Sequence, residues 1–91
     1  MNKNELVEKV AAETRLTKAD CQRVLDTTIE LAKSAVKKGH EVRLVGFGTF
    51  LRIKRSARRG RNPQTGKEIQ IKAHWAPRFR PGKEFRSFVQ Q

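Results

Sequence analysis

From Lys54 to Gly66 the sequence reads KRSARRGRNPQTG, thirteen residues without one large apolar side chain and with five lysines and arginines among them. Such a stretch has nothing to bury, so it cannot lie inside a folded body. The flanking residues can. Phe50, Leu51 and Ile53 precede it, and in a third extended run, from Lys67 to about Arg80, Ile69, Ile71, Ala73, Trp75 and Phe79 share a single parity, the period of a strand. A chain that leaves its core, turns at Asn62-Pro63 and comes back describes a two-stranded ribbon with Pro63 at its tip. About ten residues separate Ile53 from that tip, a reach of roughly 33 Å at ~3.3 Å per residue.

Charge says what the ribbon meets. The 91 residues include 21 Lys and Arg against nine Asp and Glu, a net +12, which calls for a polyanion, nucleic acid before an acidic membrane surface. Residues 1–40 hold eight cations and six acids, net +2, whereas residues 41–91 hold thirteen and three, net +10. The front half therefore reads as structural and the back half as the source of the binding field. One turn of duplex DNA spans ~34 Å, close to the ribbon's reach, so the ribbon could follow a groove.

A chain of this length is one domain that buries only about 60–65% of its unfolded surface, which leaves a thin core unless a partner contributes. Cys21 stands alone and cannot form an internal disulfide. With no signal-type stretch and no long apolar run, a reducing intracellular compartment is expected, and no membrane span.

Residues 1–40 read as a helical hairpin. Asn2 with Glu5 three residues on forms a capping-box pattern, and Leu6, Val7, Val10 and Ala11 recur at helical spacing, so the first helix runs from about Lys3 to Thr14. Thr17 and Asp20 mark a second start, with Leu16 and Cys21 placed as a hydrophobic staple. Cys21, Val24, Leu25, Thr28, Leu31, Ala32, Ala35 and Val36 then trace one apolar stripe up to Lys37, Lys38 and the stop at Gly39. Beyond it the period becomes extended: Val42 and Leu44, a tight turn at GFG (46–48), and the two strands of the ribbon. Pro77 in the last strand points to an edge, a bulge or a bend. Pro81 and Gly82 end that strand, and Phe85, Phe88 and Val89 predict a short amphipathic helix over 82–91.

Several residues could carry chemistry, and each has a plainer reading. Cys21 lies on the helical stripe, far in sequence from His40 and His74, and reads as buried filler; no Cys or His cluster has the spacing of a metal site. Both histidines read as surface residues. Trp75 is expected to pack at the ribbon's base in preference to stacking on a nucleic-acid base. Phe47, Phe50 and Phe79 are expected in a core or dimer interface. Asp20, Asp26, Glu30 and Glu41 sit among cations as ordinary surface pairs, and Glu41, Glu68 and Glu84 are too widely spaced for a catalytic carboxylate cluster. No enzyme, cofactor or metal is expected.

GFGTF (46–50), GRNPQTG (60–66), the Ile69-x-Ile71 that follows and RPGKEF (80–85) together resemble the bacterial HU/IHF family of histone-like, DNA-bending proteins, and the resemblance runs in order and without gaps over nearly the whole chain. It implies an α+β fold of one domain over 1–91: a helical dimerisation half over 1–40, a three-stranded antiparallel sheet over 41–81 with an arm at about 54–74, and a C-terminal helix over 82–91. It further implies an intertwined dimer, with itself or with a paralogue, whose two arms wrap DNA along the minor groove. Pro63 matches the family's intercalating proline. Arg55, Arg58, Arg61, Asn62, Gln64 and Lys67 match the arm's DNA contacts, and Lys3, Lys83 and Arg86 match phosphate contacts of the body. Arg59 from the basic run and Arg80 from RPGKEF complete the expected set. Lys72, Trp75, Phe85 and Phe88 depart from the usual family pattern.

The expected function is non-enzymatic binding, bending and condensation of double-stranded DNA in the bacterial nucleoid, with little sequence preference and a preference for bent, nicked or otherwise distorted DNA. An IHF-like factor with preferred sites and a basic RNA-binding or ribosome-associated protein are the alternatives. The short chain and the mostly phosphate-seeking cations of the arm favour the HU-like reading over the IHF-like one.

Overall fold

A computed structural model describes all 91 residues. The chain resolves into two compact units, Met1–Ser34 and Ala35–Gln91.

In the first unit, α1 (Lys3–Thr14) begins where expected, because Asn2 is extended and its side chain accepts the Glu5 N–H at 2.9 Å. Only this half of the capping box closes. The bond satisfies one of the helix's orphan amides and stabilises the start by about 1 kcal/mol. The helix ends at Arg15, which adopts a left-handed conformation (φ 62°, ψ 21°) and donates its N–H to Ala11 O at 2.8 Å. Helix α2 (Lys18–Lys37) starts where the Thr17 hydroxyl accepts the Asp20 N–H at 3.1 Å. Val7, Ala11 and Cys21 make the buried cluster of this unit, with Leu25 packed against it.

That cluster is small. Although the apolar stripe of α2 is continuous in sequence, Val24 and Leu31 are 63% and 67% exposed, and Leu16, beside the helix start, is 54% exposed. Val7, Val10, Thr14, Leu16, Cys21, Val24, Leu25 and Thr28 line an open depression of about 270 Å³ that is almost wholly apolar. The staple pair Leu16 and Cys21 thus borders a surface hollow and does not close a core.

The second unit opens with the end of α2. Gly39 takes φ 88°, its N–H reaches Val36 O at 3.0 Å, and the His40 N–H reaches Ala35 O at 3.0 Å. This is the paired ending that glycine permits at a helix C-terminus. Strands β1 (Val42–Leu44), β2 (Gly48–Arg55) and β5 (His74–Pro81) follow as an antiparallel sheet in the order β1-β2-β5, and β3 (Arg58–Arg61) pairs with β4 (Glu68–Ile71) in a second sheet of two strands. The single long strands expected on each side of the tip are therefore each broken, at Ser56–Ala57 and at Lys72–Ala73. Their register is not broken. Gly48 faces Pro81, Arg55 faces His74, Arg58 faces Ile71 and Arg61 faces Glu68, so paired residue numbers sum to the same value throughout and no bulge intervenes. Pro77 sits opposite Arg52 on an edge strand, where its missing N–H removes no bond from the sheet interior.

Four phenylalanines hold this unit together. Phe79 lies 4.8 Å from Phe50 and 5.1 Å from Phe47 between ring centroids, and Phe47 lies 5.1 Å from Phe85 of α3 (Lys83–Gln90). Such tilted pairs contribute about 0.5–1.5 kcal/mol each beyond area burial. The rings are only partly shielded, with Phe47 42% exposed, and Phe88 and Val89 on α3 are exposed. Leu51 and Thr49 on the opposite face of β2 are buried. No helix is long and apolar enough to cross a membrane.

Gly48 is where the aromatic cluster touches backbone. A Cβ there would stand 2.5 Å from Phe79 Cζ and 2.7 Å from Arg80 O. Gly48→Ala is expected to lower stability by about 1–3 kcal/mol through overpacking, read as an earlier urea midpoint with an unchanged slope.

Candidate nucleic-acid interface

The ribbon beyond the sheet is built almost wholly from backbone bonds and charge. In β3 and β4 the alternation of strand side chains places Arg58 and Gly60 with Ile71 and Ile69 on one face, and Arg59 and Arg61 with Gln70 and Glu68 on the other. Gly60 leaves room for Ile71, since a Cβ on it would sit 3.0 Å from Ile71 Cδ1. The two isoleucines are thus the apolar cover that the first strand of the ribbon lacks.

The tip is locked by one residue. Asn62 donates its N–H to Lys67 O at 2.9 Å, its carbonyl accepts the Gly66 N–H at 2.7 Å, and its side-chain oxygen accepts the Gln64 N–H at 2.8 Å. Gly66 closes the turn at φ 70° with open space around it. Lys67 N–H reaches Thr65 Oγ1 at 3.3 Å, and Arg61 donates to Gly66 O at 3.4 Å. Between these bonds Pro63 stands exposed at the apex. It has no N–H to satisfy and a fixed φ, so it ends the ribbon as a rigid apolar edge.

Of the other expected contact residues Asn62 is half-buried and the rest are exposed, but they are not equally free. Arg55, Arg58, Arg61 and Lys67 have no acidic partner, whereas Arg59 lies 3.6 Å from Glu68. Lys3 lies 2.8 Å from Asp26. Both are exposed pairs of little intrinsic stability, which a phosphate can displace. Arg80 is exposed on β5 opposite Thr49, and Lys83 and Arg86 lie one turn apart on α3. Lys83 is the first residue of α3, so its charge adds to the positive end of the helix dipole; Glu84 partly balances it. Phe47, Phe50 and Phe79 belong to the aromatic cluster described above, away from the ribbon's tip.

Sequence reading left out Arg52. Its guanidinium stacks over Trp75, 3.9 Å from the ring centroid, and donates to Lys37 O at 3.3 Å. Lys54 Nζ lies 5.8 Å from the same ring. A signal was present: the register that follows from folding the hairpin at its tip sets Trp75 opposite Lys54 and diagonal to Arg52. Trp75 is at the ribbon's base as expected, yet 52% exposed, held under a cation and not buried. His40 and His74 are on the surface and Cys21 is buried. Asp20, Asp26 and Glu30 pair with Arg23, Lys3 and Lys33.

A helical pair followed by a small sheet, drawn out into a cationic β-ribbon with an apolar tip, defines a protein of the kind that holds a polyanion by a projecting ribbon. The chain belongs to the family described as bacterial DNA-binding protein, whose model matches residues 1–90. It is 49% identical over 89 residues to DNA-binding protein HU-beta of Escherichia coli, covering 98% of this chain and 99% of that one. It is 47% identical over 89 residues to DNA-binding protein HU-1 of Halalkalibacterium halodurans, with the same coverage. Among solved structures it is similar to the HU chain of an Anabaena HU–DNA cocrystal, with a TM-score of 0.92 and 45% identity over 98% of this chain and 97% of that one. The HU structure from Thermotoga maritima matches with a TM-score of 0.70 and 31% identity, covering 98% of each chain.

The Gln64 amide depends on the Asn62 side chain for its acceptor. Asn62→Ala is expected to speed hydrogen exchange at Gln64 by about two- to tenfold, the effect of losing one ordinary hydrogen bond. Exchange at Gly66, bonded to a backbone oxygen, should change less.

Proposed function

We propose that this chain is a histone-like protein that bends and condenses double-stranded DNA with little sequence preference, working as a dimer with one arm per protomer along the minor groove. The observation that carries the reading is the apex of the ribbon. Cations without acidic partners approach it from both strands, and it ends in a proline whose turn is held by three bonds to Asn62. The cocrystallised Anabaena relative supports DNA as the polyanion.

The parts divide the work. Arg55, Arg58, Arg59, Arg61 and Lys67 on the arm, with Lys3, Arg80, Lys83 and Arg86 on the body, neutralise phosphates and release counterions, which supplies most of the affinity. Asn62 and Gln64 flank Pro63 with polar groups. Pro63 wedges between base pairs. Unstacking a step costs about a few kcal/mol, a value general to the minor-groove wedge binders among which this family is counted, and the bent duplex offsets it by lying against more of the basic body. Nicked or distorted DNA has less stacking to lose and binds more tightly. Such a protein acts in the nucleoid, without catalysis; the relatives are named DNA-binding proteins. The regions 1–40, 41–81 and 82–91 serve as dimerisation half, sheet with arm, and closing helix of one domain.

Two measurements test this. Log K for duplex DNA should fall steeply with log salt, at about −0.9 per phosphate neutralised, and Arg55→Ala or Lys83→Ala should each make the slope shallower. Pro63→Ala should keep low-salt affinity for linear duplex while reducing the bend seen by end-to-end energy transfer and the preference for nicked DNA. A wild-type bend angle in Pro63→Ala would leave the proline as a turn former only.

The dimer reading rests on uncovered surface. Val24, Leu31 and Leu16 expose more than half of their area, and no side chain in the chain is fully buried. A second copy that covers them couples folding to association, so the unfolding midpoint should rise with protein concentration. A folded monomer in sedimentation at micromolar concentration would count against it.

A further inference from the structure

The arm's root is fastened by a contact that none of the expected DNA-binding residues makes. Arg52 is half-buried on β2, three residues before the strand ends. Its guanidinium carbon lies over the Trp75 ring of β5, 3.9 Å from the centroid, and Nη1 donates to the carbonyl of Lys37, the last residue of α2. The acceptor lies at the negative end of the helix dipole, which favours a cation there. Gly39 leaves room for the arrangement, since a Cβ on it would stand 2.9 Å from Arg52 Nη2. Trp75 pairs with Lys54 one rung before the last pair of the sheet, Arg55 with His74. Immediately beyond, at Ser56–Ala57 and Lys72–Ala73, strand pairing lapses before it resumes in β3 and β4.

The clamp and the lapse in pairing sit side by side. The lapse is the one place where the ribbon can change direction without losing sheet bonds, so what fixes the rungs just before it fixes the direction in which the arm leaves. Lysine could supply charge at residue 52 but not a planar group that stacks and donates at once. We infer that Arg52 and Trp75 are positioning residues for DNA bending: together they set the direction and stiffness of the arm at its root, separately from the phosphate-seeking cations and from the wedge at Pro63. This rests on the DNA-bending function proposed above.

The chain carries its own probe, because Trp75 is the only tryptophan and there is no tyrosine, so the ultraviolet-excited emission of the full-length protein comes from the clamp. Three variants separate the elements. Arg52→Lys keeps the charge and removes the planar stack, Trp75→Ala removes the ring, and Trp75→Phe keeps an aromatic face. In the free protein, Arg52→Lys should alter Trp75 emission and lower its anisotropy. Arg52→Lys and Trp75→Ala should each raise the population of arms outside the dominant orientation about two- to fivefold, the shift expected from losing one exposed cation–π contact, read by amide relaxation over residues 58–71. On DNA, the distribution of bend angles from single-molecule energy transfer should broaden in both variants, no further in the double variant, and little in Trp75→Phe, while the salt slope of Arg52→Lys stays that of wild type. Arm relaxation identical to wild type in Arg52→Lys, or a bend distribution of wild-type width, overturns the inference. Wild-type protein that binds without bending sinks the functional reading instead, and the relaxation data then still decide whether the clamp holds the arm. Should Trp75→Ala fail to fold, Arg52→Lys, a change at one half-buried side chain, carries the test alone.

Discussion

Phe79 lying across Gly48 is the contact on which the geometry of residues 48–81 depends. With no side chain at residue 48, the ring of β5 settles directly on the backbone of β2, and this pins the pairing of Phe50 with Phe79 and of Gly48 with Pro81. Every rung outward follows from that one, through Arg52 with Pro77 and Lys54 with Trp75 to Arg61 with Glu68. A slip by one residue would send the side chains of one strand to the other face, so that Arg58 and the isoleucines would no longer share a face. The aromatic cluster therefore acts at a distance on a ribbon that has almost no core of its own. Phe85 draws α3 into the same cluster, which ties Lys83 and Arg86 to the base from which the arm departs.

Much of this was legible in the chain itself. Helix α1 begins at a side-chain cap that the Asn2 pattern announces, α2 stops at a glycine that takes a left-handed turn, and strand alternation locates the sheet. Two features were not legible. The end of α1 carries Arg15 in a left-handed conformation, a position where a glycine would have marked the stop; the arginine gives no local sign of it. The lapse at Ser56–Ala57 and Lys72–Ala73 is likewise silent, because small and basic residues alternate there as they do in the strands beside it. The apolar stripe of α2 reads as buried, and most of it is not, since helical periodicity marks an apolar face without saying what covers it.

At the site, residue type predicted location better than it predicted bonding. The basic run does stand clear of the core on a ribbon, and Pro63 does stand at its apex. What sequence spacing could not supply was which cations are already engaged. Arg59 leans on Glu68 across the ribbon and Lys3 on Asp26 across the two helices, pairs brought together by register and by the helical hairpin and separated by nine and 23 positions in the chain. Arg52 carries no local sign of its role, because its partners, Trp75 and the Lys37 carbonyl, lie 23 and 15 positions away in the chain. Its neighbours show that it is spent on structure.

The unbroken register also limits how such an arm can change in length. Because both strands share one numbering relation from the sheet to the tip, a residue inserted in one strand alone must either be expelled as a bulge or invert the side-chain faces of everything beyond it. Growth or shrinkage that preserves the arm has to be matched on both strands, and in steps of two residues on each if the tip is to keep its facing. The distance from root to apex is thus quantised, in increments of about 7 Å at ~3.3 Å per residue. A family built on this ribbon can vary its charges freely, while the span over which it grips a partner moves only in whole strides.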